Sequence, residues 1–220
     1  MKIALVVLFL SNALVHLYAC CFGMNTLRRL TKPLIMLLMI ANYCLLASTV
    51  NVFVLLGMAF ALIGDIFLMH ADSGAYFMVG ACAFAAGHAC YITGLITGTA
   101  VSTLAFCSVW GTTALIAALF IAILAVVYIK LFPRLPGNKK VFLPIYMLLI
   151  CVFGAIAGTA MVHLGGGGFI PMFVGALLFL ISDSILSFRT FGDTGSRTSF
   201  YVMLTYISAQ ALIALGFILI

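Results

Sequence analysis

Apolar runs long enough to cross a bilayer follow one another along almost the whole of this chain, and no soluble fold could hide them. Hydrophobic residues make up 66% of the 220 positions and charged residues 6%. A soluble domain is about a quarter charged, so this chain cannot clothe a water-facing surface. It reads as all-α: a polytopic transmembrane helical bundle, with residues 1–220 forming a single transmembrane helical domain. A span needs about 20 apolar residues, and eight candidates follow: 3–22, 33–48, 51–69, 76–97, 109–131, 141–161, 168–188 and 199–220. Only Ser48 to Asn51 separates the second from the third, which predicts a tight helical hairpin. The stretch 98–132 exceeds one upright helix and leaves room for a short interfacial piece over 98–108, ahead of Trp110. Ile3–Phe22 reads as a retained span rather than a cleavable signal, because no small-x-small site precedes a polar chain.

The net charge of +6 points to neither nucleic acid nor a basic binding face. Every basic residue except Lys2 falls in or beside the loops after the first, fifth and seventh spans: Arg28, Arg29 and Lys32, then Lys130 to Lys140, then Arg189 and Arg197. By the positive-inside rule that side is cytoplasmic, which puts both termini on the other side. The seven cysteines (20, 21, 44, 82, 90, 107 and 151) show no CxxC spacing. Packing as small apolar side chains is the expectation for all of them.

Against this background Asp65, in FALIGDIFLM, and Asp183, in FLISDSIL, stand out among only four acidic residues. A carboxylate inside a span is costly unless it faces a protein interior, a partner or water, so it marks a functional site by default. The bland alternative is a structural carboxylate bonded to a neighbouring helix, to Lys32 or to Arg189. On the inferred topology both carboxylates lie about one helical turn inside the cytoplasmic ends of their spans. LIGDIFL and LISDSIL occupy the third helix of each four-span half, a faint sign of a parallel four-plus-four repeat. Two carboxylates can divide into a general acid and a base. Gly64 and Ser182, just before them, are small enough for close helix packing.

His88 and Tyr91 share a helix face, being three residues apart, as do Tyr206 and Gln210, four apart. Each of these side chains could serve a site. Equally, His88 could be a core histidine bonded to a backbone carbonyl, and the Tyr206–Gln210 pair interhelical glue. Lys32-Pro33 reads as the start of the second span, with proline in the first turn; the lysine is either a topology charge or a phosphate contact. His163 and Gly165 to Gly168 read as a turn without the GK[ST] of a phosphate loop. His70 and Asp72 could join Asp65 and His88 around a metal, but no ligand spacing supports that. No GxSxG elbow is present.

Taken in order, Lys32-Pro33, Gly64-Asp65 with Leu68, Phe77, Gly80 through His88 to Tyr91, Gly175 with Phe179, Ser182-Asp183, and Tyr206 with Ala209-Gln210 resemble the YhhN family, also called the TMEM86 or lysoplasmalogenase family. The likeness spans nearly the whole chain. It implies a polytopic membrane enzyme that hydrolyses the vinyl ether bond of lysoplasmalogens to a fatty aldehyde and a glycerophospho-alcohol. It implies Asp65, Asp183 and His88 as catalytic residues, with Lys32, Tyr91, Ser182, Tyr206 and Gln210 around a lysophospholipid substrate. No cofactor or metal and no nucleic-acid partner is expected, membrane lipid is the surrounding medium, and the oligomeric state is not indicated. The expected location is a bacterial inner membrane, multi-pass. Buried carboxylates and repeated halves would equally serve a small transporter or proton-coupled carrier. A metal-dependent amidase or lipase of another polytopic fold is a third, weaker fit.

Overall fold

A computed structural model describes residues 2–69, 74–99, 101, 104, 106–137, 139–192 and 198–220. Among them are eight α-helices: α1 (Lys2–Cys21), α2 (Asn25–Leu46), α3 (Val52–Leu68), α4 (Gly74–Gly98), α5 (Phe106–Leu131), α6 (Lys139–His163), α7 (Phe169–Phe191) and α8 (Thr198–Leu219). Seven are long and apolar enough to cross a membrane, and α3, with 17 residues, is shorter. At 1.5 Å per residue α3 still reaches roughly 26 Å, close to the thickness of a hydrocarbon core. Large apolar side chains such as Leu14, Leu115 and Ile129 stand outward on these helices, as lipid-facing residues do. The chain is an integral, multi-pass membrane protein.

Two compact units divide the chain, Met1–Gly94 and Leu95–Ile220. In the first, α1 ends at Gly23, whose φ of 68° only glycine adopts without strain. The Met24 N–H then reaches back to the Ala19 carbonyl at 2.9 Å, a helix stop that satisfies an otherwise orphaned acceptor. A buried polar chain ties α1 to α2: Cys20 Sγ lies 3.5 Å from His16 Nε2, and His16 Nδ1 lies 2.7 Å from Thr31 Oγ1. Thr31 Oγ1 in turn donates to the Leu27 carbonyl at 2.7 Å. The α2–α3 hairpin is as tight as expected. Asn51 caps α3 by accepting from Phe53 N–H at 2.9 Å, donates to the Gly94 carbonyl at 3.2 Å, and gives its own N–H to Tyr43 Oη at 3.1 Å.

The start of α2 corrects the sequence reading. The helix begins at Asn25, and Pro33 lies well inside it rather than in its first turn. Leu27, Arg28, Arg29 and Lys32 are good helix formers, so the helix runs through them and tolerates one missing N–H at Pro33. Lys32 is therefore a residue of the helix body, with neighbours to reach. Cysteine packing also departs from expectation: Cys20 and Cys151 are buried, but Cys21, Cys44 and Cys82 are exposed. In a membrane protein the outer surface is apolar too, so a small apolar side chain is not confined to the core.

Small residues at heptad spacing set the close helix pairs. In the first unit, a Cβ on Gly87 would sit 3.0 Å from the Gly57 carbonyl oxygen, and one on Gly80 3.2 Å from that of Gly64. In the second unit, a Cβ on Gly216 would sit 2.6 Å from the Gly168 carbonyl oxygen, and one on Gly175 2.9 Å from that of Ala209. Backbones that approach this closely leave no room for larger residues. The contacts recur residue by residue. Gly57 faces Tyr91 and Gly87 as Gly175 faces Ile213 and Ala209, and Gly94 meets Val54 as Gly216 meets Met172. In the second unit, Lys139 lies over the Phe191 ring and Lys140 over the Phe132 ring, so the two adjacent lysines that open α6 each meet an aromatic, one at the end of α7 and one just after α5.

Candidate functional site

In the first unit Asp65 sits one turn before the end of α3, buried against α2. Lys32 Nζ is 3.2 Å from Asp65 Oδ1 and 3.3 Å from the Asp65 carbonyl oxygen. The lysine therefore meets a carboxylate and also the carbonyl-rich end of a helix, where a cation is favoured. A charge pair this buried needs both members, since removing one strands the other. Of the two readings of Lys32 offered by the sequence, topology charge or phosphate contact, neither includes this bond; the bond to Lys32 appears among the bland readings of Asp65.

His88 is buried on α4, and its Nδ1 lies 3.0 Å from the Phe84 carbonyl. A carbonyl can only accept, so Nδ1 carries the hydrogen and Nε2 is the acceptor of the neutral ring. The Tyr91 ring stands edge-on to the His88 ring, with centroids 6.0 Å apart. Tyr91 packs against Gly57, eight residues before Asp65 and so roughly 12 Å away along α3. Lys32 and Asp65 are thus brought together, and His88 with Tyr91, while Tyr91 stands apart from the carboxylate.

In the second unit Asp183 is buried on α7, and the Tyr146 hydroxyl of α6 donates to its Oδ2. Ser182 turns toward α8 and donates to the Val202 carbonyl at 3.0 Å. One turn earlier on α7, Phe179 meets the Tyr206 ring edge-on at 5.6 Å. Gln210, one turn beyond Tyr206, is fully enclosed. Sequence reasoning missed Tyr146, one aromatic in the apolar run FLPIYMLLI. A usable signal existed: Pro33–Met39, PLIMLLM, aligns with Pro144–Ile150, PIYMLLI, and this places Tyr146 on the helix face of Lys32, one turn along.

Among the described residues no group of three or more His, Cys, Asp or Glu is placed to hold a metal ion. His70 and Asp72, considered above as ligands, lie outside the described residues, as do Arg197 and part of the 98–108 stretch.

Apolar helices, with a buried carboxyl bonded to a neighbouring helix within each of the two units, define a polytopic membrane protein. More particularly, the YhhN family matches over residues 27–217, and the chain belongs to that family. It is 30% identical over 185 residues to lysoplasmalogenase TMEM86A of Bos taurus, covering 77% of this chain and 65% of the bovine protein. The match thus spans just under two thirds of the length of that relative. No solved structure matches.

Proposed function

We propose that this protein is a lysoplasmalogenase-like hydrolase that cleaves the vinyl ether bond of a lysophospholipid. The observation that carries the reading is the 30% identity to a lysoplasmalogenase across most of the chain. Two buried carboxyls, each bonded to a side chain of a neighbouring helix, suit the chemistry.

A vinyl ether is hydrolysed by protonating the carbon remote from the oxygen. A carboxylic acid gives its proton to that carbon, the C=C electron pair forms the C–H bond, and the ether carbon becomes an oxocarbenium ion. Water adds there and gives a proton back to the carboxylate. The resulting hemiacetal collapses to a fatty aldehyde and the free glycerophospho-alcohol. One carboxyl to move the proton and one anion to stabilise the cation are the parts required, the division that glycosidases use for a similar cation. Asp65 and Asp183 are our candidates for these parts, with His88 as an aid to water. Arg28 and Arg29, close to Lys32, are placed in sequence to receive a phosphate. Tyr91, Ser182, Tyr206 and Gln210 complete the proposed lining. The basic loops face the cytoplasm on this reading, and both termini the other side.

The test compares a lysoplasmalogen with its saturated-ether and acyl counterparts in heavy water. Aldehyde from the vinyl ether alone, deuterated on the carbon next to the carbonyl, is expected. Release of fatty acid from the acyl lysolipid at a comparable rate would contradict the assignment.

A further inference from the structure

The second unit carries more positive charge than its own carboxylates can cancel. Lys130, Arg134, Lys139, Lys140, Arg189 and Arg197 stand against Asp183 and Asp193 in residues 95–220, a surplus of four even if both aspartates are paired. Five of the six cations lie where α5 stops, α6 starts and α7 stops. Membrane topology asks only that such charges share one side of the bilayer. It does not ask that they be held in place, and here two of them are. Lys139 Nζ stands 5.0 Å from the centroid of the Phe191 ring, and Lys140 Nζ 4.4 Å from that of Phe132. The backbone of Lys140 is fixed as well. Pro144 has no N–H to give to the carbonyl four residues before it, and Tyr128 Oη of α5 donates to that carbonyl instead, at 3.0 Å. The Tyr128 ring also meets the Phe132 ring edge-on, with centroids 5.4 Å apart. Both the main chain and the ammonium of Lys140 are therefore tied to the end of α5. Ile129, Val141 and Ile145, on the same two helices and close to these cations, stand exposed.

We propose that this end of the second unit is a binding site for one anionic phospholipid of the surrounding bilayer. Its phosphate meets the Lys140 ammonium over Phe132, Lys139 and Arg134 add to the attracting field, and its tails lie along the outward apolar side chains of α5 and α6. A soluble phosphate would satisfy the cations but leave that apolar wall uncovered, whereas a lipid satisfies both. A zwitterionic headgroup brings a cation of its own into a cluster already in surplus, so a headgroup with net negative charge is the one selected. An ammonium already seated on a ring has less freedom to lose when the phosphate arrives. That is what separates a discrete site from a diffuse attraction to the membrane surface. The site stands apart from the hydrolase reading and does not depend on it.

Native mass spectrometry of the full chain, released from detergent micelles holding equal amounts of phosphatidylglycerol and phosphatidylcholine, tests this. The unmodified protein should retain phosphatidylglycerol in preference, saturating at one tight lipid per chain. Lys139→Gln with Lys140→Gln should weaken that binding by roughly 25-fold, about 5-fold for each lysine near a membrane surface. Phe132→Leu leaves every charge in place and should still weaken it by about 2- to 5-fold, the scale of an exposed cation–π contact. The Phe132 ring is exposed, so this variant reports even if the double lysine variant fails to fold. Equal retention of the two lipids overturns the proposal, as does unchanged binding in the double lysine variant. Unchanged binding in Phe132→Leu reduces the cluster to topology charge and overturns the discrete site. Displacement of phosphatidylglycerol by inorganic phosphate would mark a site for a soluble anion and overturn the lipid assignment.

Discussion

Lys32 Nζ lies 3.2 Å from Asp65 Oδ1 and 3.3 Å from the Asp65 carbonyl oxygen, so one ammonium grips both the side chain and the backbone of the same residue. The contact joins α2 to α3 in a place where water is scarce. Such a pair adds little net stability over an apolar pair of the same shape, but losing one member leaves the other stranded.

Lys32→Met should therefore destabilise the protein by about 3 kcal/mol, the low end for a broken buried pair because Lys32 is partly exposed. Lys32→Met combined with Asp65→Asn should be more stable than Lys32→Met alone. Thermal unfolding of the purified single and double variants checks this. Additive losses would show that the two groups do not interact.

The small residues between α7 and α8 make a second prediction. A Cβ at Gly216 would stand 2.3 Å from Met172 Cγ and 2.6 Å from the Gly168 carbonyl oxygen. Met172 can move, but the carbonyl cannot. Gly216→Ala should cost about 1–3 kcal/mol, as overpacking does. Gly111→Ala, where a Cβ meets nothing within 4 Å, should be neutral or stabilising by up to about 1 kcal/mol. Parallel melting curves distinguish the two.

Asn51 makes the third. Its side chain caps α3 and bonds the Gly94 carbonyl on α4. Asn51→Ala should cost about 1–2 kcal/mol for the cap and the stranded carbonyl together. Asn51→Asp keeps the cap but loses the donor to Gly94, and its melting temperature should fall between those of Asn51→Ala and the unmodified protein.

Much of this was legible in the sequence. Hydropathy alone placed the helices, because in lipid a span must be a continuous apolar run. The two aspartates were conspicuous for the same reason. Boundaries set by local chemistry were less legible. Pro33 looked like a helix start, but the stretch before it, Asn25 to Lys32, is itself helical and carries Lys32 toward Asp65. Tyr146 was invisible because an aromatic in an apolar run looks like packing, and only the fold shows which carboxyl its hydroxyl meets. His16 is a further case, because its bond to Thr31 crosses from one helix to the next. Pairings of this kind depend on helix rotation, which periodicity leaves undetermined when nearly every residue is apolar.

The most direct test of the proposed activity is aldehyde release from a lysoplasmalogen by the purified, lipid-reconstituted protein and by Asp65→Asn and Asp183→Asn. The unmodified protein should release aldehyde, and each folded variant should be slower by at least about 100-fold, the scale of a lost acid or base. Full activity in both variants would contradict the roles given to the two carboxyls, and no release by the unmodified protein would contradict the activity itself.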